Sequence, residues 1–401
     1  MSDASILAQV ALCYSAFIDR HRAVTATRLT IFPLRPDATL DVGQLLAVVG
    51  EVWPPEGGKV SLNVVGEGLL SDLMRVPPSA NLMIEVPSFM AADPAQRDAL
   101  QTLHAAGNVL LLKGRPATEL PREVLPCFGY SIIDLAEDRR VNEAVLAPAA
   151  ANRSIAHVQS GIRTIAEMRA SFDRGAAAVL GWPIDDAIAT SHRSARSVGQ
   201  ADLQVIVELI HRVDREEPVA RLEQTLRRDP TLAFKLLRYI NSPALGLRVE
   251  ISSFAHAIMM LGHRKLKRWL AVLLATASKD ADLKPVMFAA VRRGLLLEEL
   301  ARSVGDEEMR NEMFICGVFS LIDRIFNQPF ADLLKTIPVP ERVAQALIDN
   351  SGPYQPYVEL VQAVEGQSLF DIRAAADRLL LGIGEINRAQ LRALAAAAQL
   401  E

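Results

Sequence analysis

The softest metal ligands and nucleophiles in this chain are Cys13, Cys127 and Cys316, and they stand far apart with no Cys-x-x-Cys spacing. That arrangement gives neither a zinc knuckle nor a disulfide framework, and it fits a reducing compartment. No G-x-S-x-G elbow presents a serine for attack, and no Gly-Lys-Ser/Thr closes a Walker loop. The glycines of GEGLL, residues 66–70, lack the spacing of a dinucleotide fingerprint. Cations offer more. HRKLKRW, residues 263–269, brings Arg264, Lys267 and Arg268 near one helical face, where they could touch phosphates, but an ordinary amphipathic helix start has the same spacing. In DPTLAFKLLRYINSPALG, residues 229–246, Lys235 and Arg238 lie three apart, on a face away from the stripe Leu232, Leu236, Leu237 and Ile240. That pair is a candidate interaction surface, and a merely solvated face is its alternative.

The elements that must position such residues change character along the chain. Up to about Pro183, short apolar runs (RLTIFPL, KVSLNVV, NLMIEV, NVLLLK, YSIIDL) alternate with helical stretches such as AQRDALQTLHAAG. Strand and helix in turn predict a parallel sheet, open or closed into a barrel. From Leu203 onward apolar positions recur near a 3.6-residue period, and the chain reads as helix after helix. Asp229 is placed to cap one of these helices, with Pro230 at its first position; Ser252 or Ser253 to cap another, and Gly262 to stop it. The expected domains are therefore residues 1–183, a connector at 184–200 with few large apolar side chains, a helical domain at 201–392, and a short helical tail at 393–401.

A chain of 401 residues, 50% of them hydrophobic, has enough apolar surface for two cores. A formal net charge of -4 gives no general attraction to nucleic acid or to an anionic membrane. Most of the cations are arginines in an Ala- and Leu-rich chain, a compositional habit rather than an RNA-binding device. No basic leader precedes an apolar core, and no apolar run approaches the roughly 20 residues of a membrane span, so the expected location is the cytoplasm.

DPTLAFKLLRYINSPALG followed by ISSFAHAIMMLGHRKLKRWL resembles the signature of the HDOD domain of bacterial signalling proteins. FICGVFSLIDRIFNQPFADLLKTIPVPERVAQAL resembles the version found where HDOD is joined to a degenerate EAL domain. The resemblance implies the fold of the HD phosphohydrolases without their metal site. In agreement, none of the seven histidines is followed by Asp, and the helical half has only His211, His256 and His263. No metal, cofactor or hydrolytic role is expected there.

The same resemblance implies that the first half is an EAL-like barrel, the fold of cyclic-di-GMP phosphodiesterases, whose site holds two divalent ions with carboxylates and an Asn. The segment resembling YELLFR falls on Thr27 to Phe32, so Arg28 stands where the metal-binding Glu belongs and Phe32 where an Arg contacts phosphate. Asn63 and Glu85 keep the Asn and Glu positions. LLLKGRP puts Lys113 and Gly114 where two acidic residues belong. Ile132 takes the place of the catalytic Lys, while Asp134 remains. Ser160 and Arg163 replace glutamates of the AEGVE-type motif, and Leu180 replaces the Gln of a QGY-like motif. Positive side chains at former ligand positions repel divalent ions.

The expected architecture is thus α/β plus all-α: a degenerate EAL-like (β/α) barrel followed by an HDOD-type helical domain. The expected function is non-catalytic bacterial signalling through protein partners, with no cofactor and no nucleic acid or membrane partner. A metal-independent cyclic-di-GMP receptor using Arg28, Lys113 and Arg115 at the barrel rim is the alternative, and residual phosphodiesterase activity the third.

Overall fold

The computed structural model describes residues 4–35, 39–54, 58–76, 78–138, 155–187, 200–241, 253–303 and 305–398. Most of the expected connector, 188–199, lies outside them, as do residues 399–401 of the expected tail. The chain forms two compact units: Met1–Asp186 together with Glu359–Ala395, and Ala187–Val358 together with Ala396–Glu401.

The first unit contains a closed barrel whose strands follow the order of the chain. They are β1 (Val10–Asp19), β2 (Val24–Pro33), β3 (Lys59–Val64), β4 (Leu82–Pro87), β5 (Leu110–Lys113), β6 (Phe128–Asp134), β7 (Ala156–Ile162) and β8 (Ala178–Gly181). The expectation of a parallel sheet is corrected at one strand, because β1 runs antiparallel to both β2 and β8. The reason is local. Only residues 20–23 separate β1 from β2, and Asp19 Oδ1 accepts hydrogen bonds of 2.8 Å from the amides of both His21 and Ala23. A connection that short can only return a strand antiparallel, whereas parallel neighbours need a crossover. Four of the crossovers carry the helices Val42–Val52, Glu67–Met74, Arg97–Ala105 and Ile165–Asp173. The last of these opens with a capping box between Thr164 and Glu167.

Successive side chains alternate between the inside and outside of a barrel strand. Phe17, Ala26, Met83, Leu111, Ile132, Val158 and Leu180 make one apolar cluster, drawn from every strand except β3. Ile132 and Leu180, at two positions where the sequence suggested lost catalytic groups, are thus core side chains. Two residues further along their strands come Arg28, Glu85, Lys113, Asp134 and Ser160, which form a polar layer toward the C-terminal strand ends.

The correction to the expected domain ranges is larger. Glu359–Ala395 groups with the barrel instead of with residues 201–358. Asn387 explains much of this attachment. Its side chain is 1% exposed, its Nδ2 donates to the carbonyls of Leu7 and Val10 at 2.7 Å each, and its Oδ1 accepts from the amide of Leu12 at 3.0 Å. Arg373 donates to the Leu34 carbonyl at 2.9 Å. In the same segment the helix Leu369–Leu379 ends on Leu380 in the left-handed region, φ +55°, with that side chain 92% exposed. Leu380→Gly is expected to raise stability by about 0.5–1 kcal/mol in chemical denaturation, since glycine adopts this conformation without the Cβ clash.

The second unit is helical among its described residues, as the apolar period predicts. Asp229 Oδ1 accepts from the amide of Leu232 at 3.0 Å, capping the helix Pro230–Ile240, and Leu232, Leu236 and Ile240 are buried. The helix Phe254–Ala275, capped by Ser253, is broken by a non-helical Gly262 at φ 70°. Asp323 is 3% exposed, and burial pushes its carboxyl up to about 6, partly offset by Arg324 and Arg293. A carboxyl raised in the folded state binds its proton more tightly there, so its contribution to stability falls as pH rises from about 4 to 6. Asp323→Asn should remove that decline, on the order of 2 kcal/mol, in the difference between wild-type and variant unfolding free energies across this interval.

Candidate functional site

At the centre of the barrel lies a buried ion pair. Arg28 on β2 donates from Nε to Glu85 Oε1 at 2.7 Å and from Nη2 to Oε2 at 2.5 Å, and the Glu85 side chain is fully buried. This two-pronged geometry matches the planar guanidinium to both carboxylate oxygens. Ser61, which pairs with Arg28 in the β2–β3 register, donates to Glu85 Oε1 at 3.0 Å. Beside this triad runs a second chain of hydrogen bonds. Lys113 Nζ donates to Asn63 Oδ1 at 2.7 Å, Asn63 Nδ2 to Thr30 Oγ1 at 3.1 Å, and Thr30 to Gln367 Oε1 at 3.0 Å. Gln367 arrives from the C-terminal segment with φ +56°.

Lys113 titrates below its ordinary range. Burial is the main cause; Glu85 opposes it, and Arg28 adds to it by repulsion. The neighbouring Gly114 has φ +82°, and its amide donates to the Ile132 carbonyl at 2.8 Å, so the position suits glycine for backbone reasons. Arg115 is held away from free solution by Asp138 at 2.5 Å. Of the three cations expected to form a phosphate-binding rim, two are therefore matched by a carboxylate.

The remaining positions divide between lumen and surface. Ser160 is buried and donates to Asp134 Oδ2 at 3.5 Å, while Asp134 itself is exposed. Gly161, φ +80°, lets that carboxylate approach the backbone, since a Cβ there would lie 2.8 Å from Oδ2. Arg163 points outward and binds Asp185 at 2.5 Å, so it does not join the polar layer. Phe32, half-buried, lines a cavity of about 850 Å³ at the C-terminal ends of β2–β5, along with Val64, Pro87, Phe89, Lys113 and Leu369. Sequence reasoning missed Thr30, Ser61 and Gln367. The first two are signalled by the inward period of β2 and β3, two residues from Arg28 and Asn63; nothing in the sequence marks the third.

In the helical unit the histidines serve backbone carbonyls: His211 Nε2 sits 2.9 Å from the Thr336 oxygen and His263 Nε2 3.3 Å from that of Glu217, while His256 is exposed. Among the described residues no three His, Cys, Asp or Glu side chains gather as a metal site requires, and no helix is long and apolar enough to cross a membrane. Lys235 is exposed on its helix; the side chain of Arg238 lies outside the described residues. On the helix packed against it, Met259 and Met260 are 62% and 50% exposed.

Residues 202–334 match the family model of the HDOD domain. This chain carries an HDOD domain. The HDOD range stops short of 335–392, the stretch that includes most of the segment built onto the barrel. An uncharacterised protein of Bacillus subtilis, YuxH, is 30% identical over 168 residues, 40% of this chain and 40% of that one. The cyclic di-GMP phosphodiesterase CdgJ of Vibrio cholerae is 26% identical over 150 residues, 37% of this chain and 35% of that one. The matches thus span well under half the length of these curated relatives. Among solved structures, BlrP1 of Klebsiella pneumoniae in complex with calcium and cyclic-di-GMP aligns with 44% of this chain and 55% of its own, at 14% identity and a TM-score of 0.31. The closed barrel, followed by the helical unit with its HDOD match, is the α/β plus all-α architecture expected from the sequence.

Proposed function

We propose that this protein is a non-catalytic component of cyclic-di-GMP-linked bacterial signalling, acting in the cytoplasm through protein partners, with the barrel as a docking body and the HDOD domain as the output surface. The observation that carries this reading is the Arg28–Glu85 pair. Two catalytic divalent ions require carboxylates that converge and remain free to bind them. Glu85 already has both oxygens bound by Arg28 and one shared with Ser61, and Lys113 adds a second positive charge at Asn63. This donor set does not fit the metals that the EAL resemblance implies. Ile132, at the position of the catalytic Lys, is locked in the apolar cluster and has no proton to move.

The interaction role draws support from the exposed Met259 and Met260 beside the helix that carries Lys235, since thioether side chains adapt to varied partners. Co-purification from native cytoplasm with wild type and with a Lys235→Glu/Met259→Glu variant tests it: the variant should lose partners that the wild type retains. Equal recovery of the same partners would remove this surface from the account.

The cavity at the barrel mouth favours one second reading, a metal-independent receptor for cyclic-di-GMP in which Lys113 meets a phosphate. Calorimetric titration of the full chain with the dinucleotide, with and without Mg2+, separates the two. The interaction reading predicts no heat at micromolar protein.

A further inference from the structure

The helical unit contains a cavity of about 570 Å³, walled by the helices Pro230–Ile240, Phe254–Ala275, Lys284–Leu300 and Glu307–Phe319. Its size is that of a small-molecule pocket. Aromatic rings make up much of the wall. Tyr239 and Trp269 stack with centroids 6.1 Å apart and planes at 25°. Phe314 and Phe288 each carry a guanidinium over one face, Arg268 at 4.1 Å and Arg292 at 4.3 Å from the ring centroids.

The charge of the lining has one sign. Arg268, Lys284 and Arg292 border the cavity, and no Asp or Glu is among the described residues that line it. Arg268 is neutralised from outside the cavity by Glu298, through two bonds of 2.7 Å, and Arg292 is buried. Lys284 is exposed, so its ammonium remains hydrated and mobile enough to meet an incoming group. An apolar interior excludes small inorganic anions, which would lose their hydration with little return, and the cations disfavour a cationic guest. A molecule with an apolar body and one negative end satisfies both parts of the wall.

We propose that this cavity is a binding site for an amphipathic carboxylate, its acyl or aryl body among Tyr239, Trp269, Phe288 and Phe314 and its carboxylate paired with Lys284. The site is separate from the barrel and does not depend on whether the barrel binds a nucleotide. Decanoate is a suitable probe: for about a dozen heavy atoms, ordinary ligand efficiencies give a Kd on the order of tens to hundreds of micromolar.

Calorimetric titration of the full chain with decanoate tests the site, with decanol as a probe of the same body without the charge. Decanoate should bind once per chain with saturation, and decanol at least about tenfold more weakly. Lys284→Glu, a change at an exposed position, should weaken decanoate to a similar degree. Thr276→Phe, which projects a ring into the cavity from another exposed position, should weaken both probes. The proposal is overturned if decanoate shows no saturable binding, if decanol binds as tightly as decanoate, or if Lys284→Glu leaves the decanoate affinity unchanged.

Discussion

Arg28→Ala is expected to lower the stability of the barrel by about 3–5 kcal/mol, because it leaves the Glu85 carboxylate buried with its charge opposed only by Lys113 nearby. The reciprocal change, Glu85→Ala, strands a guanidinium in the same lumen and should cost a similar amount. Removing both charges together has a different outcome. A buried ion pair contributes little net stability once the cost of desolvating two charges is counted, so Arg28→Met combined with Glu85→Leu should come within about 1–2 kcal/mol of wild type. Scanning calorimetry of wild type, Arg28→Met, Glu85→Leu and the double variant gives the coupling between the two positions directly. A pair that merely drifted into contact on a wet rim would give single-variant losses near zero, as surface ion pairs do. The 0% exposure of the Glu85 side chain decides between these cases in favour of the large effect.

Asn387→Leu is expected to cost about 3 kcal/mol, through loss of the attachment between the C-terminal segment and the start of β1. Three buried backbone groups, the carbonyls of Leu7 and Val10 and the amide of Leu12, lose their partner at once, and each unsatisfied group costs about 1–3 kcal/mol, with partial relief by relaxation. Hydrogen exchange gives a residue-level check. The Leu12 amide, protected in wild type by Asn387 Oδ1, should exchange far faster in the variant, while the amide of Arg28, on β2, should change much less. Unchanged protection at Leu12 would mean that the segment is held by its apolar contacts alone.

The polar layer of the barrel was largely legible before the structure. Glu85 and Lys113 lie two residues past the clustered Met83 and Leu111 on short strands, and a period of two carries them to the same interior, while Asn63 follows Ser61 on the inward side of β3. What the sequence could not supply was pairing. Arg28 and Arg115 read alike as rim cations, yet one closes on Glu85 and the other on Asp138, because each partner is brought by tertiary register and not by proximity in the chain. Arg163 looks like a displaced site residue by position but lies past the end of β7, where Asp185 takes it. The reversal of β1 was missed because alternating strand and helix signals describe the crossovers, while the turn at 20–23 is too short to hold a helix. The helices after Val358 show the limit of periodicity most clearly. An apolar stripe says that a helix packs, not against which body; it took the hydrogen bonds of Asn387 and Gln367 to join that segment to the barrel.

The proposal of a non-catalytic barrel rests on the internal Arg28–Glu85 ion pair, at positions where the EAL resemblance implies metal ligands. Its most direct test is hydrolysis of cyclic-di-GMP by the purified full chain in the presence of Mn2+ or Mg2+, with product resolved chromatographically. The account predicts no linear dinucleotide above the level formed without protein. Sustained turnover that disappears in the Glu85→Ala variant, with that variant still folded, would contradict it.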